Sequence, residues 1–357
     1  MTPNDEKEKV KDRIALLSVR ENDTLADRIS QILDVPLVKI KRDQFDDLER
    51  VPIIQENISG KNAYVISTLG LRQEPDVSFM DTVRLFDALA RCSVVNKVGV
   101  FPDHWFAAQD KTNNFRTAIT GELAADIFGL VNMTSLITVE FHAEQIEGFY
   151  GRKRADSLRG SPIIADYVMN TYPYQFIAVN ADAGGIRQRD ELGKELKVRD
   201  RILGVGSYSG ARDRDVKDEK KKGDYIGQDP KGQYVVIYDD MGRTLETMEN
   251  CAEEAKNKGA AKVIGACAHL KTFGSEKFMK NLSKGFVDEL VVLNTRPEIV
   301  SMIEQNELMR QRITVLDISP YIAQTIRRLE LGYSVREMMG EIKDRSALYN
   351  ILRKAGQ

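Results

Sequence analysis

The sequence predicts an α/β protein made of two doubly wound domains, each built on a parallel sheet. Three observations carry that expectation. Short apolar runs rich in β-branched residues alternate with longer segments that read as helices, the pattern of βαβ units. The 357 residues are enough for two domains of ordinary size, each with its own core. Both halves of the chain read as the same strand-and-helix unit, although no motif repeats.

Lys and Arg together number 52 against 54 Asp and Glu, so the net charge is close to zero. That balance argues against a general nucleic-acid or membrane-surface binder, and an anionic ligand must then be held by a local constellation. Cys92, Cys251 and Cys267 are an odd number with no metal-ligand spacing, as expected of free thiols in a reducing compartment. No apolar stretch approaches membrane-spanning length, and the polar start MTPNDEKEKV does not read as a signal peptide. The expectation is a soluble, cytoplasmic protein acting on small molecules.

Along the first half, a charged and frayed start precedes a strand at 14–18 and a helix at 23–33 capped by Asn22 or Asp23. Pro36 punctuates the connection to a short strand at 37–40. Residues 45–49, Phe-Asp-Asp-Leu-Glu, read either as a solvated acidic turn or as an aromatic face flanked by acceptors. A strand at 61–68, a loop at 69–77 and a helix at 78–92 follow. The strand at 97–101 then runs into a long polar loop containing His104, Gln109, Asp110 and Arg116. His142, in VEFHAEQIEGF, is by itself more readily a packed or solvent-facing histidine than a metal ligand.

In the second half a basic, Gly-containing stretch before residue 158 suggests a domain boundary. The strand at 175–179 ends at Asn180-Ala181-Asp182-Ala183-Gly184-Gly185, where glycines let backbone approach phosphate or simply build a turn capped by Asp182. A strand at 201–207 leads into residues 212–224, of which eleven of thirteen are charged, the composition of a solvated flap. The stretch QYVVIYDDMGRTLET organises the chain: a buried strand at 233–238, Asp239 and Asp240 at its end, and a helix at 247–258 closed by Gly259. In an open parallel sheet ligands bind beyond the carboxyl ends of the strands. A helix amino terminus there offers N–H groups to phosphate, and paired acids can hold sugar hydroxyls. Strands at 262–269, 289–296 and 313–318 and a helix at 319–339 complete the chain; His269, at the end of the first of these strands, reads as structural.

Taken together these segments resemble the ribose-phosphate diphosphokinases (PRPP synthetases), with their two α/β domains of phosphoribosyltransferase type. VEFHAEQIEGF is similar to the family's MDLHAxQIQGFF, Phe45–Glu49 to its FSDGE loop, Asp182-Ala183-Gly184-Gly185 to its PDAGG, and residues 239–247 to its DDxxDTxGT. The matches run in family order from about residue 14 to residue 339. The resemblance implies an N-terminal domain over 1–158, joined by the C-terminal helix 319–357, and a second domain over 159–318. It also implies magnesium, ATP as co-substrate, and a homo-oligomer, dimer to hexamer, in which Phe45, Asp47 and Glu49 reach the adenine of a neighbouring subunit. Gln109, Asp110 and Arg116 would complete the nucleotide side, and His142 and Asp182 would hold the metal. Asp239, Asp240, Gly242, Arg243, Thr244 and Thr247 would hold the acceptor.

Three departures qualify that resemblance. Ala108 replaces the first residue of the family's RQD triplet, removing a fork-shaped donor, and Gly70, Arg72 and Asp76 make only a poor diphosphate cradle. The family's K-x-R group after the strand at 201–207 has no lysine here before Lys217, leaving Arg212 and Arg214 as catalytic candidates. In the acceptor loop an acid has become Arg243 and a glycine Glu246, which crowds a closed cradle for a terminal phosphate. The implied activity is transfer of the β,γ-diphosphate of Mg-ATP to the 1-hydroxyl of ribose 5-phosphate or, given the altered loop, of ADP-ribose. The competing reading is a catalytically silent regulatory subunit, and a base-exchanging phosphoribosyltransferase is a third.

Overall fold

The structure is a computed structural model that describes residues 3–69, 75–112, 115–209, 224–272, 274–335 and 338. The chain divides into two compact units, residues 1–159, 295–297 and 317–357 in the first, and 160–294 and 298–316 in the second.

The first unit opens with α1 (Pro3–Arg13), β1 (Ile14–Ser18) and α2 (Thr24–Leu33). Asp23 caps α2 by accepting from the N–H groups of Leu25 and Ala26. A hairpin of β2 (Ile40–Gln44) and β3 (Arg50–Ile54) follows, then β4 (Asn62–Ile66), α3 (Pro75–Ala90), β5 (Asn96–Phe101), α4 (Thr120–Leu130), β6 (Ser135–Val139), α5 (Gln145–Phe149) and β7 (Arg154–Leu158). The main sheet has the order β1-β4-β5-β6-β7 and is parallel throughout. Its central strands are buried, as a sheet covered on both faces requires. The rings of Phe79, Phe86, Phe101, Trp105 and Phe128 fill one face edge to face, with Phe101 and Trp105 centroids 4.7 Å apart.

The second unit contains α6 (Ser161–Thr171), β8 (Phe176–Asn180), a 3-10 turn (Ala183–Gly185), α7 (Ile186–Val198), β9 (Ile202–Ser209), β10 (Asp224–Gly227) and β11 (Tyr234–Gly242). It continues with α8 (Glu246–Asn257), β12 (Lys262–Leu270), α9 (Glu276–Leu282), β13 (Glu289–Leu293), α10 (Glu298–Gln305), α11 (Glu307–Arg312) and β14 (Ile313–Leu316). The sheet order is β10-β9-β8-β11-β12-β13-β14, with β10 alone antiparallel to its neighbour among these pairs. From β8 the chain moves outward to β9, then returns to the other side of β8 with β11. The strand order reverses between β8 and β11, and that switch point is where an open α/β sheet makes its ligand crevice.

Four expectations are corrected. The charged start is helical from Pro3 rather than frayed. The strand expected at 37–40 is a single bridge from Leu37 to Leu16, and the real strand begins at Ile40 in the hairpin. The strand expected to stop at Tyr238 runs on to Gly242, because β12 keeps pairing with it after β8 has ended. The last helix, α12 (Ser319–Leu331), stops short of residue 339 because Gly332 takes a left-handed conformation, φ 78°, and caps it. This helix belongs to the first unit, where it packs on α2.

Candidate active site

The acids lie at the switch point. The last β8–β11 pair is Val179 with Ile237, after which β8 turns away at Asn180 while β11 carries Tyr238, Asp239 and Asp240 onward. The strands thus part just where the carboxylates begin. Asp182 caps the turn that follows β8, accepting from the Gly184 N–H at 2.8 Å. Gly185 brings this turn against β11, since a Cβ there would stand 3.7 Å from the Tyr238 carbonyl oxygen.

Asp240 is 5 % exposed, and its backbone N–H donates to Oδ1 of Asp239 at 2.9 Å. Burial, then the charges of Asp240 and Asp182, push the Asp239 carboxyl well above the usual aspartate range. Burial and the same two strand acids also push the Cys267 thiol up. The crevice is lined by carboxylate oxygens, the ligand type that magnesium takes. Among the described residues no three His, Cys, Asp or Glu side chains form a ready-made cage.

Beyond the acids, Gly242 is buried, and a Cβ on it would meet Sγ of Cys267 at 3.1 Å, so its smallness serves strand packing. Leu245 takes φ 58° and leads into α8 without capping it by its own side chain, while the Glu246 N–H donates to Thr244 Oγ1 at 3.5 Å. Arg243 is exposed, and Thr244 and Thr247 are half-buried. Asn281 Nδ2 steadies the loop by donating to the Thr244 carbonyl at 2.8 Å, and Glu246 pairs with Lys277 at 2.7 Å on the surface.

On the inner face of α8, Glu249 is fully buried, its Oε2 accepting from the N–H groups of Phe286 at 3.1 Å and Val287 at 3.4 Å. Burial raises its pKa to about 7, against these N–H groups, Lys284 and Arg312. Because the native value lies above the unfolded 4.5, the stability this carboxyl contributes is fully present below 4.5 and lost as pH rises through about 7. The loss amounts to about 3 kcal/mol, and Glu249→Gln is expected to flatten it in denaturant titrations across that range.

In the first unit, Phe45 and Leu48 stand at the tip of the β2–β3 hairpin, 58 % and 72 % exposed. Asp47 Oδ1 accepts from the Glu49 N–H at 3.1 Å and holds the turn, in which Leu48 takes φ 73°. A cavity of about 180 Å³ lies beneath this hairpin, lined by Arg42, Arg50, Asp81 and Leu85, at its footing rather than its tip. Asp110 is buried and accepts from Gln145 Nε2 at 2.6 Å, which ties the loop after β5 to the HAEQIEGF segment. Gln109 donates to the Lys111 carbonyl, and Arg116 is exposed with φ 62°. Among the described residues no hydrogen bond or ion pair joins Phe45, Asp47 or Glu49 to Gln109, Asp110 or Arg116. His142 is exposed before α5, and Asp76 is exposed in the first turn of α3. His104, in the loop after β5, is buried, its Nε2 at 2.5 Å from the Tyr150 hydroxyl. Buried His269, read as structural, pairs in register with Met241. Gly70, Arg72, Arg212 and Arg214 lie outside the described residues.

Sequence reasoning passed over Arg189, whose guanidinium reaches the ends of β8 and β9. The available signal was a pair of arginines, 187 and 189, in the first turn of a helix, where acids are the norm.

Residues 14–131 match the family described as the N-terminal domain of ribose phosphate pyrophosphokinase, and residues 214–340 the phosphoribosyl synthetase-associated domain. The chain is similar to the ribose-phosphate pyrophosphokinase of Wolinella succinogenes, 30 % identical over 314 residues that cover 87 % of this chain and 94 % of that one. It is similar also to ribose-phosphate pyrophosphokinase A of Dictyostelium discoideum, 28 % identical over 93 % of this chain and 99 % of the relative. Among solved structures, the phosphoribosylpyrophosphate synthetase of Mycobacterium smegmatis superposes with a TM-score of 0.76 at 24 % identity, over 90 % of this chain and 99 % of that one, and shares the fold. Two domain matches in family order and a relative of this identity along almost its whole length mean that the chain belongs to the ribose-phosphate pyrophosphokinase family of transferases.

Proposed function

We propose that the protein transfers the β,γ-diphosphate of Mg-ATP to the 1-hydroxyl of a ribose 5-phosphate moiety. The observation that carries this reading is the carboxylate-lined crevice where β8 and β11 part, with the amino terminus of α8 just past it. Asp239 and Asp240 orient the two ring hydroxyls of the acceptor, leaving the anomeric hydroxyl to attack. Its oxygen forms a bond to the β-phosphorus as the bond to the α,β-bridging oxygen breaks, AMP departs with that oxygen, and the hydroxyl proton is released. Asp182 is assigned to the metal side of this crevice, and magnesium there would lower the phosphate charge that the nucleophile meets; His142 is assigned to the metal from its motif alone. Phe45, Asp47 and Glu49 are assigned to adenine, supplied by a neighbouring copy in a homo-oligomer. Gln109 and Arg116 complete the nucleotide side, with Asp110 held ready by Gln145.

For the acceptor, the loop favours ADP-ribose. Arg243 is exposed and suited to pairing with a diphosphate ester, while Glu246 is drawn aside by Lys277. A terminal phosphate wants a closed cradle of glycine N–H groups, whereas a diphosphate that continues outward wants an open one. Purified protein with Mg-ATP is expected to release AMP with ADP-ribose and far less with ribose 5-phosphate, followed by chromatography of nucleotides. AMP with ribose 5-phosphate alone would overturn the acceptor assignment. AMP with neither would favour the regulatory-subunit reading.

No helix among the described residues is long and apolar enough to cross a membrane.

A further inference from the structure

Arg189 sits in the first turn of α7, and its side chain is 14 % exposed. Its Nη1 donates to Asn180 Oδ1 at 3.0 Å and to Ser207 Oγ at 2.6 Å. Ser207 Oγ in turn donates to Asn180 Oδ1 at 2.8 Å, and Asn180 Nδ2 donates to the Asp182 carbonyl at 2.7 Å. Asn180 and Ser207 are register partners at the carboxyl ends of β8 and β9. The guanidinium is therefore clamped onto the sheet edge beside the Asp182 turn, on the same edge as the crevice.

Two features of this placement oppose stability. A cation near a helix amino terminus faces the positive end of the helix dipole. A long side chain held in one geometry also gives up rotamer freedom. The partners at the strand ends are neutral, so they fix the group without cancelling its charge. Only Asp190, itself about half exposed, pairs with Nε and Nη2, at 2.8 and 2.7 Å. Of the five N–H donors of an arginine, one on Nη2 is left without a partner among the described residues.

Ser207 lies on the strand after which relatives carry the K-x-R group, and here no lysine occurs before Lys217. We propose that Arg189 supplies from α7 the fixed positive charge that this lysine would supply from the flap, and that it contacts the diphosphate being transferred. Held by β8 and β9 instead of by a flap, the charge is in place before any loop closes, which is the preorganisation that transition-state stabilisation requires. This inference rests on the diphosphate-transfer reading above.

The test compares Arg189→Met, Arg189→Gln and Arg189→Lys in the full chain. With the acceptor that wild type uses, Arg189→Met is expected to lower kcat for AMP release by about a hundredfold with little change in KM for the acceptor. Arg189→Lys should retain part of the rate, and added guanidinium should restore part of the Arg189→Met rate. In calorimetric titration with inorganic diphosphate, Arg189→Met should bind about tenfold more weakly while AMP binding is unchanged. If Arg189→Met fails to fold, Arg189→Gln, which keeps a donor for Asn180 and Ser207, takes its place.

Rates within about twofold of wild type, or losses that neither lysine nor guanidinium relieves together with unchanged diphosphate binding, would overturn the assignment. Wild type that releases no AMP with either acceptor would sink the transfer reading itself. The diphosphate titration would still decide Arg189, a weaker affinity in the variant supporting the charge and an equal one refuting it.

Discussion

Asp240→Asn is expected to lower AMP release by about a hundredfold or more while leaving the protein at least as stable as wild type. The side chain is 5 % exposed at the point where β11 leaves β8, and the change is nearly isosteric. A buried polar residue would ordinarily be costly to alter. Here the wild-type arrangement is itself unfavourable, because the Asp239 carboxyl is crowded by burial and by the charges of Asp240 and Asp182. Removing one like charge relieves that crowding, so the midpoint of thermal unfolding should hold or rise. Asp239→Asn should behave the same way. Magnesium provides the complementary measurement: it should raise the unfolding midpoint of wild type by mass action and raise that of the asparagine variants less. A variant that loses activity and stability together would mean that the pair is structural.

Glu330→Ala is expected to be the most destabilising single change, by about 3–5 kcal/mol. Glu330, on α12, is 5 % exposed and accepts from Asn62 Nδ2 at 2.9 Å and from the Tyr64 hydroxyl at 2.7 Å. Arg13 adds an ion pair at 3.5 Å and donates to the Glu330 backbone oxygen at 3.1 Å. Alanine would leave the buried Tyr64 hydroxyl and the half-buried Asn62 amide of β4 without their acceptor, beside a void. The loss should lower the unfolding midpoint by roughly 6–15 °C, read by circular dichroism. Glu330→Gln keeps the shape and two acceptor lone pairs, and should cost less than half as much. Activity per folded molecule should be unchanged in both, which separates this variant from the Asp240 change.

Much of the fold can be read locally because its strands are buried on both faces and stand out as continuous apolar runs. Residues 14–18 are such a run, and β1 occupies them without adjustment. The β2–β3 hairpin is the opposite case. IKRDQ is polar and largely exposed, a strand held by pairing with β3, which packs on α3, rather than by an apolar face, so nothing in its composition announces it.

Asp239 and Asp240 were legible as a pair next to a buried run, but their setting was not. Sequence puts them after a strand; the structure puts them inside one, since β12 continues to hydrogen-bond with β11 beyond the end of β8. The link of Asp110 to Gln145 spans 35 residues, and that of Arg189 to Ser207 spans 18. Neither spacing belongs to a helix or a strand, so no periodicity could reveal them.

The amino-acid order alone was enough for the α/β class, for the succession of strands and helices, and for the two clusters of acids at Asp182 and at Asp239 and Asp240. These follow from side-chain chemistry and from periods of a few residues, which depend only on near neighbours. Which strand lies beside which, and therefore that β8 and β11 part where the carboxylates stand and that Arg189 is clamped at the same edge, was settled by folding. Sheet order brings together residues remote in the chain, and the charge each acid feels is set by what burial and those neighbours do to it.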